Sequence, residues 1–140
     1  MDRHTPKQRK RNMQAVKSAG SKIEKTLGKA LWKKGFRYRK NVKTIFGKPD
    51  FVLRKYNIVI FCDSEFWHGK DWETKKFEIK SNQDFWYKKI ERNIERDNEV
   101  NLHLKNEDWT VIRFWGKEIL NNTEYCVKKV ESEIKKKHNK

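Results

Sequence analysis

The run Ile58–Cys62 (IVIFC) constrains the fold of this chain more than any other segment. An unbroken apolar stretch opened by β-branched residues has no polar face to give to water. It predicts a central strand buried on both sides. Lys55-Tyr56-Asn57 precedes it as a tight turn, and Asp50–Arg54 before that reads as a second strand. Strands joined by a tight turn run antiparallel. Asp50 at the start of one and Asp63 at the end of the other are therefore expected to meet at one edge of the sheet. Carboxylates so placed repel unless a cation or a proton comes between them.

The other elements follow from local signals. Thr5-Pro6 suits the start of a helix over about 6–18, ended by Gly20. This helix lies in a basic arm, residues 1–20, that carries Arg3, Lys7, Arg9, Lys10, Arg11 and Lys17 against Asp2. Ser21 and Glu24 form a capping box for a second helix, 22–34, with Ile23, Leu27, Ala30 and Leu31 at helical spacing and Gly35 at its end. Phe36–Lys40 alternates as a short strand, and 41–48 is a loop. Residues 64–81 are polar and irregular but carry Phe66, Trp67, Trp72 and Phe77; loops of that length are often functional. A helix over about 83–105 places Tyr87, Ile90, Ile94, Asn101 and Leu104 on one face, beside a basic arc of Lys89, Arg92, Asn93 and Arg96. Trp109–Trp115 reads as a third central strand, and a last helix, about 123–137, runs through Val127, Val130 and Ile134. The helix between strands 58–62 and 109–115 favours a parallel pair. The expected architecture is α/β, a mixed central sheet flanked by helices, in a single domain over 1–140.

Charge narrows the partner. Lys and Arg number 35 against 19 acids, a net charge of +16, yet the chain holds six tryptophans. Disordered polybasic chains lack such aromatics. A folded domain with a basic surface points to nucleic acid. Cys62 and Cys126 have no metal-ligand or redox spacing and read as free thiols. The longest apolar run is too short for a membrane span, and the basic N-terminus has no apolar signal core. A cytoplasmic, nucleoid-associated protein is expected.

A basic nucleic-acid binder with clustered acids suggests metal-dependent phosphodiester chemistry. Magnesium takes hard oxygen ligands and leaves room for water and phosphate. Asp50, Asp63 and the backbone carbonyl of Cys62 are candidate ligands, with Glu65 as a further one. His68, three residues after Glu65, is placed to act as general base. The capping box alone accounts for Glu24.

The segments NMQAVKSAGSKIEK, KPDFVLRKYNIVIFCDSEFWH, DFWYKKIERNIERD and DWTVIRFW, in this order, resemble the Vsr endonucleases of very short patch mismatch repair. The resemblance covers about residues 5–120, with almost no gaps up to His68. It implies a restriction-endonuclease-like (PD-(D/E)XK) fold and magnesium-dependent nicking of duplex DNA beside the thymine of a T:G mismatch, by a monomer; manganese is expected to substitute. It also implies roles. Asp50 is a direct metal ligand, Cys62 offers its backbone carbonyl, Glu24 holds metal-bound water and His68 activates water. Phe66, Trp67 and Trp86 wedge into the duplex, and Met13 inserts from the minor groove. Lys89 and Asn93 lie near the mismatched bases.

Two departures stand out. Asp63 occupies the position of the family's first catalytic histidine, giving a more acidic centre that could admit a second ion. Glu65, Asp71, Trp72 and Lys117 occupy or adjoin the positions of the family's structural zinc ligands, so no structural zinc is expected. Packing of Trp72 and Phe77 should then hold the 64–81 loop, unless it stays mobile until DNA binds. Two alternatives remain: a nuclease of a restriction, mobile-element or defence system without mismatch preference, and a non-catalytic DNA-binding module.

Overall fold

The computed structural model describes residues 22–138. The expected helix over 6–18, with Arg9, Arg11 and Met13 on it, and the Ser21 cap lie outside the described residues. Helix α1 spans 22–33 and buries Ile23, Leu27 and Leu31, a stripe at four-residue spacing. Gly35 ends it with φ +94°, a conformation open to glycine without a Cβ penalty. The N–H of Phe36 closes this end by donating to the carbonyl of Leu31. That bond is why β1 is only Arg39–Lys40 and not the expected Phe36–Lys40.

β2 (Phe51–Leu53) pairs antiparallel with β1 and with β3 (Ile58–Asp63). Arg54–Tyr56 forms a 3-10 turn, and Asn57 with φ +53° completes the reversal, so Arg54 belongs to the turn and not to the strand. β3 pairs in parallel with β4 (Thr110–Trp115), from Ile58 opposite Thr110 to Asp63 opposite Trp115. The sheet order is β1-β2-β3-β4. β4 therefore ends the sheet among the described residues and is not central as expected. Its alternating burial, with Ile112 and Phe114 inside and Arg113 only half-buried, is that of such a strand.

Two apolar clusters cover the sheet. Ile58 and Ile60 of β3 pack with α1 and with Val127, Val130 and Ile134 of the last helix. Val59 and Phe61 pack with Val100 and Leu104 of the long helix. Burying each such aliphatic side chain stabilises by about 1.5–3 kcal/mol. Because side chains alternate across a strand, Cys62 faces the first cluster and Asp63 the second. This parity governs the site.

The 64–81 segment is more ordered than expected: it contains α2 (Trp72–Lys75) and a 3-10 turn, Lys76–Glu78. Trp72 is buried, stacks edge-to-face on Tyr87 at 5.5 Å and donates its Nε1–H to Glu91. Phe77, expected to share that packing, is 72% exposed; the Tyr87 hydroxyl, donating to the Lys76 carbonyl, ties the segment down in its place. Helix α3 spans Gln83–Asn106 and buries Ile90, Val100 and Leu104. α4 (Gly116–Asn121) follows β4 directly and was not expected, being too short to show a period. α5 spans Thr123–His138. No helix among the described residues is long and apolar enough to cross a membrane.

Candidate active site

The C-terminal end of β3 carries two carboxylate groups, one on each side of the sheet. Asp50, just ahead of β2, accepts the Cys62 N–H through Oδ2 at 2.7 Å, while its own carbonyl accepts from the Asn41 N–H. Glu24 of α1 shares a hydrogen bond with it. Burial pushes the Asp50 carboxyl up to about 7; the Cys62 N–H opposes this, and Glu24 and Asp63 add to it. Two close carboxyls in a poorly hydrated place share a proton or take a cation. Burial, with the same carboxylates, also holds the Cys62 thiol far above its ordinary range. The oxygens gathered here are the carboxyls of Asp50 and Glu24 and the Cys62 carbonyl. That hard donor set fits a divalent ion.

The second group lies on the α3 side. Arg113 Nη1 donates to both carboxylate oxygens of Asp63, at 3.0 and 3.2 Å, and lies 3.6 Å from Asp97 Oδ1. Arg113 Nε donates to Asn101 Oδ1 at 2.7 Å, and the guanidinium carbon sits 4.1 Å from the centre of the Phe61 ring. His68 makes a 2.6 Å hydrogen bond from Nδ1 to Asp97 Oδ2, and its Nε2 lies 3.7 Å from Asp63 Oδ1. Burial lowers the His68 imidazole, but Asp97 and Asp63 outweigh it, and the net shift is upward. Burial raises the Asp63 carboxyl, against the pull of His68 and Arg113.

Asp50 and Asp63 meet at one edge of the sheet as the turn geometry suggested, near enough for Asp63 to act on the Asp50 carboxyl, but their side chains have different partners. Asp50 joins α1 across the Cys62 amide, and Asp63, one residue on, turns to α3. Glu65 joins neither group. Its Oε1 accepts the Lys117 N–H at 2.6 Å and caps the start of α4.

The expected wedge residues do converge. Phe66, Trp67 and Trp86 form a triangle with ring centroids 5.3–5.6 Å apart, and Phe85 extends it. Phe66 is 45% and Phe85 59% exposed, so the cluster opens to solvent. Asn93 donates to the Trp67 carbonyl at 2.8 Å and pins it to α3. Of the basic arc, Lys89 is exposed and Arg96 leans over the Phe46 ring, whereas Arg92 is engaged by Glu95 and Glu99 on its own helix. Asp97 and Arg113 were not singled out from the sequence. A signal existed for Asp97: Asn93, Asp97 and Asn101 recur every four residues, a polar stripe on the face of α3 turned to the sheet.

A mixed four-stranded α/β domain that gathers carboxylates and an imidazole at the end of an inner strand has the make-up of the restriction-endonuclease-like nucleases. The family model for the DNA mismatch endonuclease Vsr matches residues 1–74, and the chain belongs to this family. It is 56% identical over 137 residues to the type II nicking enzyme V.NmeDIP of Neisseria meningitidis serogroup C, covering 98% of this chain and 93% of that one. Identity is 54% over 125 residues to the type II nicking enzyme V.HpaIIP of Haemophilus parainfluenzae, 89% of each chain. It is 33% over 115 residues to the DNA mismatch endonuclease Vsr of Escherichia coli (strain K12), 81% of this chain and 72% of that one. The chain is thus a DNA endonuclease of a family whose chemistry calls for a divalent metal.

Proposed function

We propose that this enzyme nicks duplex DNA at a T:G mismatch, with magnesium held by Asp50, Glu24 and the Cys62 carbonyl. The observation that carries the mismatch reading is the open Phe66–Trp67–Trp86 cluster, pinned to α3 by the Asn93–Trp67 hydrogen bond one residue before His68. Apolar rings that enter a base step cost a few kcal/mol of unstacking, and less where the pair is already mismatched. Lys89 and Arg96 supply positive charge along the same helix. Kinship with type II nicking enzymes supports nicking, and kinship with a DNA mismatch endonuclease supports this target.

When bound, the ion neutralises charge on the phosphodiester and makes water easier to deprotonate. The protein does the rest. The Nδ1–H of His68 donates to Asp97, which leaves Nε2 of the neutral ring as the proton acceptor for the attacking water. Asp97 fixes that tautomer.

Labelled duplexes carrying T:G, other mismatches or full pairing test this reading in magnesium. Preferential nicking of T:G is expected, and Asp50→Ala should abolish it while leaving duplex binding largely intact. Equal cutting of paired and mispaired DNA would sink the repair role and favour a restriction or defence nuclease.

A further inference from the structure

The imidazole and two carboxylates of Asp63, His68 and Asp97 offer ligand atoms that all lie within 4.8 Å of one another, close enough to hold a cation. The departure from the family at Asp63 suggested a second ion in the acidic centre. Yet a cation of the protein's own is already present. Arg113 spends one nitrogen on both oxygens of Asp63 and on the approach to Asp97, and its second terminal nitrogen reaches the Asp97 carbonyl at 3.5 Å. Asn101 fixes its Nε and Phe61 backs its plane, so the guanidinium has little freedom to swing out. It lies in the half-buried interior, 19% exposed, where an unpaired charge would be costly.

The placement follows from the fold. The parallel register sets Phe61 opposite Arg113, and side chains on alternate residues share a face, which brings Asp63 and Arg113 together on the α3 side. We propose that Arg113 is a built-in cation that fills the Asp63–His68–Asp97 cluster, so that a guanidinium stands where a divalent ion would otherwise sit. Arg113 is then a positioning residue: through Asp63 and Asp97 it holds His68 beside the metal site. The inference rests on the metal assignment made above for Asp50.

Manganese binding to the full chain tests it, read by the electron-spin-resonance signal of free Mn2+ and independent of cleavage. Arg113→Gln vacates the cluster and should bind one ion more than the wild type, and Asp63→Asn in the same chain should remove it. Arg113→Lys keeps a cation and should bind no more than the wild type. Mn2+ should also raise the melting temperature of Arg113→Gln more than that of the wild type, because a ligand that binds only the folded state stabilises it. That comparison reports on the variant even if it is less stable. Equal ion counts on the wild type and on folded Arg113→Gln overturn the proposal. If Asp50→Asn instead retains the wild-type ion, the metal assignment at Asp50 fails, and that failure is separate from the role of Arg113.

Discussion

The imidazole of His68 meets Asp97 through Nδ1 at 2.6 Å and Asp63 through Nε2 at 3.7 Å, and both carboxylates favour its protonated form. A base must be neutral to act, so nicking should rise with pH through a value above the ordinary histidine pKa of about 6.5. Asp97→Asn removes the largest upward influence. The pH–rate limb should move to lower pH, with a lower plateau because the tautomer is no longer fixed. An unmoved limb would exclude His68 as the titrating base. His68→Ala should lower the single-turnover rate by about 10²–10⁴, the usual worth of general-base catalysis, with little change in DNA affinity. At this scale the sequence pointed to Asp50, Glu24 and His68, and the structure sets Glu24 on Asp50 and His68 on Asp97 and Asp63. The sequence was not legible at Arg113, because the pairing of Asp63 with a residue fifty positions later follows from the register of β3 on β4, which no local pattern encodes. The ion pair of Asp63 with Arg113 was out of sight for the same reason, although Asp63 itself was singled out.

Helix α3 and the segment before it act as one unit. Gly69, with φ +65°, lets the chain turn against α3, and a Cβ there would lie 2.6 Å from Ile94 Cδ1 and 2.9 Å from Ile90 Cγ2. Gly69→Ala should cost about 1–3 kcal/mol from backbone strain and overpacking, measured by urea unfolding. It should also displace the aromatic triangle, since Trp67 and Gly69 flank His68. Trp86→Ala is the contrasting case. Trp86 is only half-buried, so stability should change little, while mismatched-duplex binding should weaken by about 1–3 kcal/mol if a base stacks on the cluster. Unchanged binding would rule out Trp86 as a wedge. Elements with strong periodicity, α1, α3 and α5, were readable in outline. α4 was too short to announce itself, and β1 was trimmed because the Phe36 amide closes α1 instead of entering the sheet. Trp72 was rightly read as an anchor, but its partner is Tyr87, which helical spacing had placed on an inner face for other reasons.

Across the whole molecule, a net charge of +16 sets the terms of encounter with DNA. Affinity should fall steeply with salt. If about six phosphates are contacted, log K should fall against log salt with a slope near −5, a loss of about 10³ between 50 and 200 mM. A flat salt response would contradict a phosphate-tracking surface. Composition alone leads to this expectation. The mixed sheet was legible too, because a long helix between two apolar strands forces a crossover. The position of β4 at the end of the sheet was hidden, because its run of apolar and aromatic residues imitates a central strand.

The parity of β3 has an evolutionary consequence. Surface loops lengthen at small entropic cost, so most insertions should be tolerated. Between Leu53 and Asp63 the rule reverses. One added residue in β3 would exchange the faces of its two last side chains, putting a thiol beside the imidazole and a carboxylate into the core. Lineages of this enzyme should accept length changes in the 41–48 loop and refuse single-residue ones here. An insertion scan scored for nicking would show a narrow silent zone, bounded by Leu53 and Asp63, in an otherwise permissive chain.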